Sequence, residues 1–318
     1  MDGAEMFSVV IPLYKSEANL PRLFSELVRI SAQIPVPMEL VFVNDGSPDA
    51  CGTIVEEKLP SLPVQTQLIH LTRNFGSFAA IAAGLQYSTG EYFAVIAADL
   101  QEPPEILPQF LEMLRSGDAD IVFGVRAKRS DPFFSRLSSN LFWTLYRYLV
   151  NPDIPPGGVD VFGCNRKVRD QLCAMKEVET SLVGLLFWIG YRRGFVTYER
   201  RERREGKSAW TFSKKFHYLV NSVFNFTDLP IRILMGVGIA GMLLAIAGAA
   251  TVLLSKLTGN IQVPGYSAIV IVVFFFGGLT AAGLGIVGQY IWLCLQNARS
   301  RPSYIVDRQC MHRPGDST

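Results

Sequence analysis

Short apolar runs alternate with stretches of helical spacing through the first half of the chain. Residues 7–11 read as a buried strand stopped by Pro12, and residues 17–30 follow as a helix with Leu20, Leu23, Phe24 and Leu27 on one face. A second strand, 39–43, ends in the turn Asn44-Asp45-Gly46-Ser47-Pro48-Asp49. A third, 67–71, ends before Arg73-Asn74-Phe75-Gly76. A small-residue helix over 78–86, a strand over 92–98, a helix over 106–114 and a strand over 121–125 reaching Arg126 continue the alternation. Strand, helix and strand again predict an α/β fold with a mostly parallel sheet.

The pattern changes after residue 229. Residues 231–255 hold Arg232 and no further charge, and 267–295 hold none, whereas about 20 apolar residues suffice to cross a bilayer. Two C-terminal transmembrane helices are therefore expected. The Gly-Gly-Leu-Thr-Ala-Ala-Gly-Leu-Gly run in the second suits close helix packing. Residues 133–150 and 210–226 mix Phe, Leu, Trp and Tyr with Arg136, Arg147, Lys214, Lys215 and His217, and read as amphipathic helices at the membrane interface. Aromatics at that spacing also suit plain core. The resulting division is a catalytic domain over 1–229, a membrane hairpin over 230–298 and a tail over 299–318.

Composition sharpens this picture in three places. The chain has 318 residues and is 49% apolar, more than a soluble domain of that size needs. Its mean hydropathy is +0.24. Basic residues flank the outer ends of the two spans (Lys214, Lys215, Arg232; Arg299, Arg301, Arg308), so a multi-pass protein of the inner (cytoplasmic) membrane is expected, with both termini cytoplasmic. The Met1 to Met6 stretch is acidic and short, so no cleavable leader is expected there. Five cysteines without a CxxC pair argue against a disulfide framework, and three scattered histidines show no zinc-ligand spacing. A net charge of +2 gives no reason to expect nucleic acid as a partner.

The candidate chemistry gathers at predicted strand ends. Asp99 and Gln101 follow the fourth strand, just before Pro103 and Pro104 stop ladder pairing. Two oxygen donors on one extended turn suit a hard cation, Mg²⁺ or Mn²⁺, that would hold a diphosphate. Asp45, Asp99, Gln101 and Arg126 all fall at the carboxyl edge, where open α/β sheets bind ligands. Neither G-x-G-x-x-G nor G-x-x-x-x-G-K-S/T occurs, which removes the dinucleotide and P-loop readings.

Four motifs in order, Val9-Val10-Ile11-Pro12-Leu13-Tyr14, Asn44-Asp45-Gly46-Ser47-Pro48-Asp49, Arg73-Asn74-Phe75-Gly76 and Asp99-Leu100-Gln101-Glu102-Pro103-Pro104, resemble the inverting family-two glycosyltransferases. Nearly the whole chain resembles the polyisoprenyl-phosphate branch, with Gly206-Lys207-Ser208-Ala209-Trp210 and two terminal spans like its bacterial members. The resemblance implies a GT-A-type nucleotide-sugar-binding sheet. Carried over to matching positions, it places the donor at Pro12, Tyr14, Val43, Asp45, Ala98, Arg126 and Arg203, and the metal at Asp99 and Gln101. It places the acceptor at Arg136, Lys207, Ser208, Lys214 and Lys215, and Asp160 joins Asp99 at the reacting centre. The chain departs from the family pattern at Ser16, Ala97 and Ala209, and Ala97 puts ribose recognition in question more than metal binding.

What the resemblance implies is transfer of one hexose, glucose from UDP-glucose, to undecaprenyl phosphate with inversion. Asp160 would orient the acceptor or act as a weak base, since a phosphate already ionised at neutral pH needs little deprotonation. The alternatives are another donor sugar (GlcNAc, mannose or an aminopentose) and a non-catalytic membrane module that binds sugar nucleotides. A homo-oligomer is expected, because a lone hairpin of small-residue helices gains little packing by itself.

Overall fold

The computed structural model describes residues 5–127, 143–144, 146–148, 151–156, 158–159, 161–175, 181–201, 212–258, 266–299 and 301–314. Contacts divide the chain into two units, Met1–Leu219 with Pro302–Thr318, and Val220–Arg301.

The first unit is built on an eight-stranded sheet. Its strands are β1 (Phe7–Leu13), β2 (Met38–Asn44), β3 (Gln65–Leu71), β4 (Tyr92–Val95), β5 (Ile121–Arg126), β6 (Val161–Asn165), β7 (Arg193–Tyr198) and β8 (Val306–His312), in the order β7-β5-β6-β4-β1-β2-β3-β8. β1 to β4 run parallel, as expected for near-continuous apolar runs buried on both faces. β6 is antiparallel to both β4 and β5, which leaves β5, and β7 beside it, pointing the same way as β1 to β4. β8 closes the other end, antiparallel to β3. The segment set apart as a tail thus completes the sheet.

Helices α1 (Leu20–Ser31), α2 (Cys51–Lys58), α3 (Ser77–Tyr87), α4 (Ile106–Arg115), α5 (Arg166–Ala174) and α6 (Leu182–Trp188) follow the strands. α1 buries Leu20, Leu23, Phe24, Leu27 and Ile30, the stripe read from its spacing, and α4 buries Ile106, Leu107, Phe110, Leu111 and Leu114 likewise. Together with Phe7, Val9, Ile11, Leu40 and Phe42 they form the main core.

Two strand boundaries differ from expectation. Pro12 does not stop β1, which continues to Leu13 with Pro12 opposite Val43. Leu13 accepts from the Asp45 amide on the β2 side and Val10 accepts from the Ile96 amide on the β4 side, so Pro12 by alternation faces the β4 side. There, pairing has already ended at Val10 opposite Val95, and the missing N–H breaks no ladder bond. The fourth strand ends at Val95 instead of Ala98, since both its neighbours stop pairing there.

The second unit begins within α7 (Phe212–Phe226), at Val220, and holds α8 (Leu229–Leu257, 29 residues) and α9 (Tyr266–Ala298, 33 residues). Among the described residues one helical stretch, Phe275–Ala298, is long and apolar enough by itself to cross a membrane. Two spans are therefore not established by length and composition of the described helices. α8 and α9 approach at Gly241, facing Phe276, and at Gly283, facing Leu234, and the Tyr290 hydroxyl donates to the Thr227 carbonyl at 3.3 Å. Of the glycine-rich run, only Gly283 makes such an approach. Gly277, Gly278 and Gly285 have open space where a side chain would stand.

The interface-helix reading is also altered in part. Tyr146, from the 133–150 stretch, is fully buried, stacks on Tyr218 of α7 at 5.7 Å and donates to Ser181. These two aromatics are core. Most of 133–150 lies outside the described residues.

Candidate active site

The carboxyl ends of β1 to β5 and β7 share one edge, and β6, running the other way, starts from it. Val161, the residue after Asp160, therefore opens at the rim that Asp99 follows. The antiparallel insertion of β6 is what brings Arg126 to this rim, because two reversals restore the parallel direction.

One side of the rim is a set of interlocked turns. The Asp45 carboxylate is 2% exposed and accepts from the backbone amides of Phe75 at 2.7 Å and Gly76 at 2.9 Å, so the second turn holds the third. Burial pushes its carboxyl above the ordinary value, against the pull of those two amides and Arg73. The Arg73 guanidinium lies 4.1 Å over the Phe75 ring. Ser47 Oγ accepts from the Lys15 amide at 2.8 Å and donates to Asp49 at 2.6 Å. Asp49 in turn accepts from the Glu17 amide at 3.0 Å, and Glu17 from the Ala50 amide at 3.1 Å. Burial opposes it, but these bonds and those from Cys51 hold the Asp49 carboxyl below its ordinary value. Tyr14, next to Lys15 of this lock, is 44% exposed, and Val43 is buried opposite Pro12.

The other side is the turn after β4. The Leu100 amide reaches the Ala97 carbonyl at 3.3 Å, and Asp99 Oδ1 accepts from the Gln101 amide at 3.2 Å. Ala98 is buried beneath it. Lys15 and Leu100, both with φ of 52°, are the only non-glycine residues with positive φ among the described residues. Such backbone costs of order 1–3 kcal/mol each and concentrates at functional sites; here one strained residue sits in each half of the rim.

Two arginines not anticipated from sequence clamp this turn. Arg200 donates to the Gln101 amide oxygen and approaches Glu102 at 4.0 Å. The Arg201 amide donates to the Gln101 carbonyl at 2.8 Å, while its guanidinium takes both oxygens of Glu105 at 3.1 Å. β7 delivers them, and its Gly-Phe-Val-Thr-Tyr alternation, buried at every second residue, was the available signal. Asp160, Arg203, Arg136, Lys207 and Ser208 lie outside the described residues, and Lys214 and Lys215 are described only as backbone in the first turn of α7.

A mostly parallel sheet whose carboxyl edge carries acids, an amide and guanidinium groups is a GT-A-like nucleotide-sugar-binding fold. The sequence profile of "Glycosyl transferase family 2" matches residues 8–173. The chain belongs to glycosyl transferase family 2 and is a glycosyltransferase. It is 31% identical over 300 residues to an uncharacterized glycosyltransferase of Synechocystis sp., covering 94% of each chain. It is 30% identical over 302 residues to a prophage bactoprenol glucosyl transferase homolog of Escherichia coli, covering 95% of this chain and 98% of that one. A bactoprenol glucosyl transferase of Shigella phage SfX is 29% identical over 300 residues, with 94% and 98% covered.

Proposed function

We propose that this enzyme transfers glucose from UDP-glucose to a polyisoprenyl phosphate, undecaprenyl phosphate, with inversion, giving a membrane-held lipid phosphosugar. The observation that carries this is the near full-length likeness to bactoprenol glucosyl transferases, which spans both the polar rim and the apolar helices. Another donor sugar is the nearest alternative and is an outcome of the assay below.

The residues at the turn fit a divalent cation by donor type. Asp99 and Gln101 offer hard carboxylate and amide oxygens, the set Mg²⁺ and Mn²⁺ prefer. Arg200 donates to the Gln101 amide oxygen, whose second lone pair would hold an ion beside that guanidinium. Such an ion, when bound, neutralises charge on the departing diphosphate. The protein's own part is positional. The Asp45 clamp and the Ser47–Asp49–Glu17 lock hold the donor side still, Arg126 supplies a cation at the diphosphate, and Asp160 positions the acceptor oxygen for displacement from the opposite face. The assay is transfer from a panel of labelled sugar nucleotides to undecaprenyl phosphate by the purified full chain. Glucosyl lipid is expected from UDP-glucose, lost in chelator and restored by Mg²⁺ or Mn²⁺. Full transfer in chelator sinks the metal assignment, and no transfer from any donor sinks the reaction.

Two membrane crossings are supported by connectivity. Both ends of the unit 220–301 join the unit that holds the sheet, and β8 is bonded to β3. If α9 crosses a bilayer, the chain must cross once more before β8 can reach β3. α8, 29 residues long, spans about 43 Å against a hydrocarbon core of about 30 Å. A cysteine replacing Asn260 is then expected to react with an impermeant maleimide in intact cells, and one replacing Glu57 only after lysis. Equal shielding at both positions would overturn the two-crossing arrangement.

A further inference from the structure

We propose that Glu56, His70 and Cys310 form a site for one divalent transition-metal ion of the Zn²⁺ and Co²⁺ class, which ties the returning strand β8 to β3 and α2. No part of the transfer reaction uses these three residues. They are assembled from α2, β3 and the distant β8, with Cys310 254 residues from Glu56, which is why histidine spacing gives no sign of them.

The geometry is that of a ligand set. One donor atom from each of the three lies within 4.8 Å of the other two. His70 Nε2 is 3.8 Å from Glu56 Oε2, and Cys310 Sγ is 3.4 Å from Glu56 Oε1. Tetrahedral bonds of about 2.0–2.3 Å separate ligands by about 3.3–3.8 Å, and each spacing falls in that range, one on each oxygen of the Glu56 carboxylate. An imidazole and a thiol beside one carboxylate select borderline-soft cations over Mg²⁺ or Ca²⁺.

A second observation points to a ligand. His70 is 8% exposed and its Nε2 has no hydrogen-bond partner, an uncommon state for a buried ring nitrogen. The ring is seated against Gly52 of α2, where an added Cβ would come 3.0 Å from its Cε1. Glu56 lies one turn on from Gly52, on the same face of the helix. On β8, Arg308 pairs directly across from His70 and Cys310 follows two residues later on the same face.

Arg308 grips both Glu56 oxygens, at 3.0 and 2.8 Å. A carboxylate has about four lone-pair sites, so Glu56 serves Arg308 and an ion together, with Arg308 fixing its orientation. Binding releases the Cys310 thiol proton to solvent and therefore strengthens with pH. Ligation through Nε2 also puts the ring proton on Nδ1. The Asn44 side chain, whose nitrogen faces Nδ1 at 3.1 Å and whose oxygen accepts from the Ser47 amide at 3.0 Å, must then turn its oxygen to the ring. The ion is thereby coupled to the rim turn.

The test is titration of the tag-free full chain in detergent with Co²⁺, read by absorption. One equivalent is expected to give a thiolate-to-cobalt charge-transfer band in the near ultraviolet with tetrahedral visible bands, bleached by Zn²⁺ and unaffected by excess Mg²⁺. Cys310→Ser should remove the charge-transfer band, and His70→Gln should weaken binding at least tenfold. Zn²⁺ should raise the thermal midpoint of the parent protein and not of Cys310→Ser. Absence of the band in the parent, or its persistence in Cys310→Ser, overturns the site.

Discussion

Asp99→Asn lowers transfer by about two to three orders of magnitude, the range for removing a principal electrostatic contact to a developing charge, while thermal stability stays nearly unchanged. The two readouts separate because of where Asp99 sits. It is only partly buried, and its Oδ1 accepts the turn contact from the Gln101 amide at 3.2 Å. An asparagine oxygen accepts that same bond, so the turn survives, but the charge that would hold a cation and its diphosphate is gone. Steady-state transfer at saturating donor, together with a melting curve, checks it. A variant as active as the parent would move the reacting centre elsewhere on the rim.

Gly46→Ala is expected to cost about 3 kcal/mol of stability, a thermal midpoint lower by about 6–12 °C, and to weaken donor binding at least tenfold. Two effects add. Gly46 has φ of 55°, which an alanine adopts only at a cost, and a Cβ there would lie 2.3 Å from the Arg73 carbonyl carbon and 2.6 Å from its Cα. Backbone cannot swing aside as a side chain can. The second and third turns would be pushed apart, stretching the bonds from Phe75 and Gly76 to Asp45. Gly117→Ala is the control, since Gly117 has φ of 75° with nothing within 4 Å of an added Cβ and so loses only the backbone contribution, about 1 kcal/mol. Equal losses in the two variants would show that the crossing of the turns is not what fixes the rim.

Family membership makes the chain a glycosyltransferase instead of a non-catalytic module, and Ala97 sits in the turn beside the intact Asp99 and Gln101. The resemblance places Asp45 at the donor, and the fold adds a second part for it: each of its oxygens accepts an amide, from Phe75 and Gly76, which fixes the Arg73-Asn74-Phe75-Gly76 turn.

The sequence by itself determined the alternation of β1 to β5 with α1, α3 and α4, the collection of Asp45, Asp99, Gln101 and Arg126 at strand ends, and the apolar character of α8 and α9. Each is a local property: the period of burial along one element, or a polar residue directly after it. Only the tertiary structure decided that Pro12 continues β1, that β6 inserts antiparallel between β4 and β5, and that β8 returns to β3. These depend on which strand lies alongside, and β8, reading Val-Asp-Arg-Gln-Cys-Met-His, has the polar character of a protected edge strand and no apolar period to betray it. The same holds for Arg200 on Gln101 and for Glu56, His70 and Cys310 in one cluster. Partners separated by 99 residues, as Arg200 and Gln101 are, or by 254, as Cys310 and Glu56 are, leave no trace in spacing, because the sheet order that joins them is set by packing of the whole core.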